Sequence, residues 1–357
     1  LLKAIAYKLA YSLLVMWGVA SLVFCLFSIL PGDPSRMMLG QRDHEEMRLA
    51  IQKKYGFDQP IQKQYLFYLN DLSPVSFHSN NPENFTNVNN HNYTILASAS
   101  IAEFDVVVKT PYLRESFVRK GTSVASIISD TLPNTFTLAM AAMFIALVLG
   151  ITLGVYSAIN QHKFTDQLLS SVSVLGMALP SFFSAILIAW LFGFVWQKYT
   201  GLSMTGSLFE VDDYGTGEYI VWKNLILPAF TLGIRPLAVV MQLTRNSILD
   251  TLDQDYIRTA KAKGLSSVRI LFVHALPNAL NPVVTSASGW LASMLAGAVF
   301  VEYIFGWNGL GKEIVYALNY LDLPLVMGAV LTLSICFVLI TIFTDVIYYF
   351  LDPRLRS

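Results

Sequence analysis

The stretch Asp255-Tyr-Ile-Arg-Thr-Ala-Lys-Ala-Lys-Gly264-Leu-Ser-Ser-Val-Arg-Ile-Leu-Phe-Val-His-Ala-Leu-Pro277 lies between two long apolar runs. Tyr256, Ile257 and Ala260 fall on one face of a helix, with Asp255, Arg258 and Lys261 elsewhere. Small Thr259 and Ala260 would let a partner backbone come close, Gly264 permits a left-handed C-terminal turn, and Ser266 or Ser267 can cap the next helix. By amphipathicity alone such a helix is more often one that lies on lipid headgroups. The flanking sequence decides the fold.

Of the 357 residues, 54% are hydrophobic and 13% charged, and the mean hydropathy is +0.53. That is more apolar surface than a soluble fold of this size needs. A span takes roughly 20 apolar residues to cross about 30 Å of hydrocarbon. Stretches near residues 9–30, 132–158, 168–196, 225–248, 281–301 and 325–350 qualify. The expected fold is all-α and integral to the membrane, with six transmembrane helices. The uncharged run from Leu9 to Leu30 is too long for a signal peptide and no A-x-A site follows, so it is expected to stay as an anchor. Cys25 and Cys336 fall inside expected spans, which argues against a disulfide framework or a thiolate metal site. Zero net charge and the lack of a nucleic-acid motif point away from nucleic-acid partners.

Positive residues resist translocation. Lys3, Lys8, Lys163, Arg354 and Arg356, with Arg258, Lys261, Lys263 and Arg269 of the 250–280 loop, put both termini and that loop in the cytoplasm. The 197–224 loop, with Glu210, Asp212, Asp213 and Glu218, belongs outside, as does the long segment 31–131. There Pro31-Gly-Asp-Pro34 predicts a turn, and Met47, Ala50 and Ile51 predict an amphipathic helix from Asp43 to Lys54. Residues 75–100 crowd Asn80, Asn81, Asn84, Asn87, Asn89, Asn90 and Asn92 with few apolar anchors, which reads as a mobile loop or small external insertion. The glycosylation triplets at Asn84 and Asn92 arise readily by chance in such sequence.

Outside that insertion the chain resembles the oligopeptide and dipeptide permease branch of ABC importers. The resemblance rests on Pro31-Gly-Asp-Pro34, Leu179-Pro-Ser181-Phe182, Leu227-Pro-Ala-Phe-Thr-Leu232, Leu243-Thr-Arg-Asn-Ser247, Tyr256 to Leu265, Val301 to Gly311 and Leu351-Asp-Pro-Arg354, in order at the expected span boundaries. It implies that the 250–280 loop is the family's EAA loop, with Arg258, Thr259 and Ala260 at the EAA positions and Gly264 at its glycine. Tyr256, Ile257 and Lys261 complete a helix that docks on an ATPase subunit. The implied partners are a second, similar permease, two ATPases carrying ATP and Mg, an external binding protein and membrane lipid, in a bacterial inner membrane. No cofactor is expected on this chain. The implied organisation is 1–30 as N-terminal segment and first span, 31–131 as extracytoplasmic loop with the insertion at about 76–110, 132–351 as permease core, and 352–357 as cytoplasmic tail. The implied cargo is peptides, with nickel chelates, glutathione and oligosaccharides as alternatives.

Gly306-Trp-Asn-Gly-Leu-Gly311-Lys312 has phosphate-loop spacing, but Glu313 stands where Ser or Thr should bind magnesium and no strand is expected before it. The resemblance implies an external turn instead, marked by Glu302, Trp307, Gly309 and Gly311. In span five Gly289, Ser293 and Gly297 form a small-residue stripe suited to helix packing. The resemblance places this helix near the central cavity, which makes Ser288, Ala292, Ser293 and Ala296 candidate pathway residues. Arg235 lies near the middle of span four, where a charge demands a partner or water. A substrate carboxylate, Glu302, Asp345 and the sister permease are all candidates. The five histidines are scattered and no catalytic set or metal site assembles. An ion-coupled secondary transporter, the rival class, would ordinarily show half-repeats and membrane-centre acids.

Overall fold

The computed structural model describes residues 2–29, 34–39, 44–82, 84–90, 92–101, 104–212 and 217–351. The expected turn at Pro31-Gly-Asp-Pro34 lies outside them except for Pro34. So do Asp213, the tail 352–357 and the side chain of Asp345. In chain order the elements begin with α1 (Leu2–Ile29), α2 (Pro34–Leu39), α3 (Glu45–Tyr55), α4 (Ile61–Leu72), β1 (Val75–Ser79), β2 (Ile95–Ile101) and β3 (Phe104–Lys109). They continue with α5 (Val124–Ile159), α6 (Phe164–Ala178), α7 (Ser181–Trp190), α8 (Gln197–Thr200), β4 (Phe209–Val211), β5 (Glu218–Ile220), α9 (Lys223–Leu252) and α10 (Asp255–Ala262). Last come α11 (Ser267–Arg269), α12 (Leu276–Ala279), α13 (Asn281–Phe305), α14 (Leu310–Asn319) and α15 (Leu323–Leu351).

Among the described residues, five helices hold stretches long and apolar enough to cross a membrane: Ala10–Ser28, Val124–Ile159, Lys223–Leu252, Asn281–Phe305 and Leu323–Thr344. The stretch expected as span three is broken. Phe164–Ala178 and Ser181–Val195 pass the same test only together, and they are bent by 111°. Leu179, at φ −72° and ψ 131°, is extended because Pro180 excludes the helical conformation before it and offers no N–H. The all-α expectation is also corrected, because a three-stranded antiparallel sheet of order β1-β3-β2 and a β4-β5 hairpin are present.

The chain divides into two compact units, Leu1–Asp130 with Glu313–Ile335 and Thr131–Lys312 with Cys336–Ser357. In the first, Ala20 and Val23 of α1 pack with Tyr68 of α4 and Met327 and Leu331 of α15. Strand β1 alternates as a half-covered strand should, but with inverted chemistry. Ser76 and His78 are buried while Val75 and Phe77 are exposed. The buried pair is satisfied locally, since Ser76 Oγ and His78 Nε2 lie 2.8 Å apart and His78 Nδ1 is 3.0 Å from the Thr86 carbonyl. Asp71, at the end of α4, accepts hydrogen bonds from Tyr93 Oη at 2.8 Å and Arg114 Nε at 2.9 Å. Asp322 accepts from Ser116 Oγ and from the Phe117 N–H.

In the second unit α9 is the central helix, packed against α6, α7 and α13 and, through glycine, against α5. A Cβ on Gly154 would lie 2.6 Å from the Met241 carbonyl oxygen and 2.6 Å from Thr244 Cβ; one on Gly150 would meet Val240 Cγ1 at 2.7 Å; one on Gly233 would meet the Ala142 carbonyl at 2.8 Å. Close backbone approach at small residues is how helices associate where apolar burial gives no drive. Gly154→Val should therefore lower stability by about 1 to 3 kcal/mol through overpacking. Thermal unfolding of the purified protein checks this, with Gly297→Ala as control, since its Cβ would sit an ordinary 3.9 Å from Leu232 Cδ1.

Candidate functional site

Helix α10 starts at extended Gln254 and carries Asp255 in its first turn. Ile257 and Ala260 turn inward onto Ile270 and Ala275, with Leu252 and Leu265 beside them. Arg258, Thr259 and Lys261 face out. The Arg258–Asp255 pair, 3.4 Å apart with side chains 72% and 96% exposed, holds nothing together. Two expectations change here. Tyr256 leaves the buried face and is exposed, its hydroxyl taking a hydrogen bond from Asn278 Nδ2 at 3.0 Å. Ala260 packs inward, which leaves Thr259 as the small outward residue. Gly264 has φ +78° with open space around it, and Ser266 caps α11 by accepting from the Arg269 N–H.

Beyond α11 the chain winds as a π-helix over Ile270–Ala275. Leu271 from this turn and Ala279 of α12 pack with Val155 and Ala158 of α5 and Ile248 of α9. One face of the turn thus holds α10 and another holds the ends of two long helices. Beside this junction Asp166, buried at the start of α6, takes Arg245 of α9 in a two-point grip, Nε to Oδ1 at 2.6 Å and Nη2 to Oδ2 at 2.7 Å. Ser157 Oγ of α5 and the His162 N–H also donate to this carboxylate. Asp166 therefore ties α5, the following turn, α6 and α9 together. Sequence reading missed this pair; the available signal was an Arg and an Asp each isolated in an apolar helix.

A second feature is a cavity of about 50 Å³ bordered by Ser181 and Ser184 of α7, Thr231 and Arg235 of α9, and Trp290 and Ser293 of α13. The Arg235 guanidinium carbon lies 6.0 Å from the Trp290 ring centroid, at the limit of a cation–π contact. Among the described residues Arg235 makes no ion pair. Ser293 joins Arg235 at this cavity and Ala296 is exposed on the same helix. Ser288 is half-buried and donates to the Val284 carbonyl at 2.9 Å. Ala292, grouped with them from sequence, is only 2% exposed and faces the packed side of α13.

The expected turn residues do assemble. Glu302, fully buried, accepts the Gly311 N–H at 2.7 Å and the Lys312 N–H at 3.2 Å on Oε2, capping α14. Trp307 is fully buried, its indole N–H donating to the Asn134 carbonyl at 3.0 Å and its backbone N–H to the Glu302 carbonyl at 2.9 Å. A Cβ at Gly309 or Gly311 would collide with the Glu302 carboxylate. Glu302 is thereby engaged in the turn and is not a partner of Arg235. Among the described residues no group of three His, Cys, Asp or Glu is placed to hold a metal.

A mostly helical chain with, among the described residues, five helices long and apolar enough to cross a membrane has the architecture of a multi-pass membrane protein. Residues 150–357 match the family model described as binding-protein-dependent transport system inner membrane component, and residues 1–81 match that of its N-terminal part. The chain belongs to this family of inner membrane transport components. Among similar proteins, the di/tripeptide transport system permease protein DppB of Pseudomonas aeruginosa is 32% identical, with 100% of this chain and 99% of that protein covered. The oligopeptide transport system permease protein AppB of Bacillus subtilis is also 32% identical, over 97% of this chain and 96% of that one. An inward-facing structure of the MetNI methionine ABC transporter matches with a TM-score of 0.50 at 17% identity, over 64% of this chain and 97% of that one, a likeness of fold.

Removing one member of the Asp166–Arg245 pair strands the other charge. Arg245→Gln should cost on the order of 3 kcal/mol. Adding Asp166→Asn to it should recover part of the loss, a non-additivity that thermal unfolding of both single variants and the double variant measures.

Proposed function

We propose that this chain is one of two permease subunits of an ATP-driven peptide importer, with six spans, the α6–α7 pair counting as one, and both termini in the cytoplasm. The observation that carries the peptide reading is identity of about one third, along essentially the full length, to relatives named for dipeptide and oligopeptide transport. The loop-charge asymmetry supports the orientation. In this reading an external binding protein delivers cargo, and one of two ATPases, which hold ATP and Mg, grips α10 through Arg258, Thr259 and Lys261. Ile257 and Ala260 pass the movement to the π-turn, and Leu271 and Ala279 pass it to α5 and α9. The Asp166–Arg245 grip makes α6 move with them. No bond in the cargo changes.

Gly264→Leu would force a branched side chain into φ +78°, a conformation that costs L-residues roughly 1 to 2 kcal/mol. Uptake by cells should be lost while the subunit still reaches the membrane; undiminished uptake would remove α10 from the coupling role.

The Arg235 cavity is read as part of the pathway, meeting a peptide carboxylate. The exposed guanidinium among Ser181, Ser184, Thr231 and Ser293 supports that role. Arg235→Gln should depress uptake of a free-carboxylate dipeptide about tenfold, the value of one charged hydrogen bond. Melting temperature and ATPase activity should stay near wild type, and an amidated dipeptide should show a smaller effect. A fall in melting temperature instead would make Arg235 the partner of an acidic residue.

A further inference from the structure

The first unit contains a cavity of about 100 Å³ where the C-terminal end of α1, α4 and the N-terminal end of α15 meet. Phe24, Phe67, Tyr68, Phe117, Met327 and Leu331 supply most of its apolar wall. Tyr68 is 4% exposed, and among the described residues its hydroxyl has no hydrogen-bond partner. Burial raises its pKa, so it remains a neutral phenol able to donate. A buried hydroxyl left without an acceptor is costly, and one that lines a cavity asks for an acceptor inside it.

Water is a poor candidate. It needs two to four polar partners, and Ser28, Gln64 and Arg114 on the wall already have partners. Ser28 Oγ donates to the Phe24 carbonyl, Gln64 Nε2 to the carbonyls of Phe57 and Gln59, and Arg114 Nε to Asp71. A wholly apolar occupant would leave the phenol unsatisfied. The occupant must combine a hydrocarbon body with an oxygen acceptor. Part of the wall reaches the surface at exposed Ser28, and part belongs to α1 and α15, two helices apolar enough to span the membrane; the outer face of α1 is bare, with Leu22 59% and Leu26 55% exposed. The neighbour that meets both conditions at that place is membrane lipid.

We infer that this cavity takes the carbonyl end of one acyl chain of a membrane phospholipid, the ester oxygen accepting a hydrogen bond from Tyr68. A volume of about three waters, at roughly 30 Å³ each, suits an ester carbonyl and its first methylenes, with the rest of the chain lying along α1.

The test uses membrane vesicles containing the full chain in its assembled transporter. The probe is a phosphatidylglycerol whose acyl chain carries a diazirine next to the ester. After irradiation, crosslinks should map to Tyr68, Met327 and Leu331 as well as to the exposed surface of α1. Tyr68→Phe, which keeps the shape and removes the donor, should cut cavity labelling several-fold and leave labelling of Leu22 and Leu26 unchanged. Leu331→Trp, which fills the space, should do the same. Labelling confined to Leu22 and Leu26, or cavity labelling unaltered in Tyr68→Phe, would overturn the inference. Displacement of the cavity label by excess dialanine would overturn it too, assigning the space to cargo.

Discussion

A carboxylate withdrawn from water loses several kcal/mol of hydration unless donors replace the water. Four buried acids among the described residues, Asp71, Asp166, Glu302 and Asp322, place that demand on this chain; Asp71, Asp166 and Asp322 draw donors from distant parts of the sequence, and Glu302 draws them from the turn that follows its own helix. Asp71 gathers Tyr93 and Arg114 around the end of α4. Asp322 holds Ser116 and the Phe117 N–H, more than 200 residues earlier. Asp166 joins α5, α6 and α9. Glu302 shapes the turn into α14. Apolar packing in a membrane protein distinguishes poorly between helix and lipid, so it leaves helix register loosely specified. A carboxylate with directional donors specifies it, because a shift of one turn strands the charge.

The same logic supports the proposed role of α10 as a lever. Helix α10 has only eight residues and its own ion pair is exposed, so its rigidity must come from what it rests on. It rests on the Ile270–Ala275 turn, whose other face packs into α5 and α9. Those helices are in turn locked by glycine contacts too close to slide and by the Arg245–Asp166 grip. A force on Arg258 or Lys261 therefore finds a short path of packed atoms rather than a flexible hinge.

The apolar helices and the amphipathic helix α10 were legible in the sequence because both are local periodicities. The left-handed turn at Gly264 follows from residue chemistry alone, and of the two caps it left open, Ser266 and Ser267, the structure uses Ser266. The face assignments of α10 were less legible. Tyr256 and Ala260 each offer apolar surface to either side, and only the position of the π-turn decides which turns inward. The break at Pro180 was visible as a proline, but the sequence does not say whether a proline kinks a helix or ends it; here the extended Leu179 ends it. The sheet of residues 75–109 escaped because β1 buries Ser76 and His78 and exposes Val75 and Phe77, the reverse of the pattern that identifies a strand. Gly150 and Gly154, spaced four apart, were a readable sign of the α5–α9 contact. The Asp166–Arg245 pair, 79 residues apart, had no periodic sign.

The Gly306–Lys312 turn shows how a motif can be right in backbone and wrong in chemistry. Its glycines do bring several N–H groups to the start of a helix, the arrangement that binds phosphate elsewhere. Here the Gly311 and Lys312 N–H groups point at Glu302, and the Leu310 N–H at Thr135 Oγ1, 2.8 Å away. Lys312 Nζ, which would reach for phosphate in a nucleotide site, is held by the Gly306 carbonyl and Asn308 Oδ1. The chain's own carboxylate thus occupies the place a phosphate would take, and a second anion beside it would be repelled. With its anion site filled from within, this loop is a structural corner, and the reading of an importer driven by nucleotide on a separate subunit meets no competitor in it.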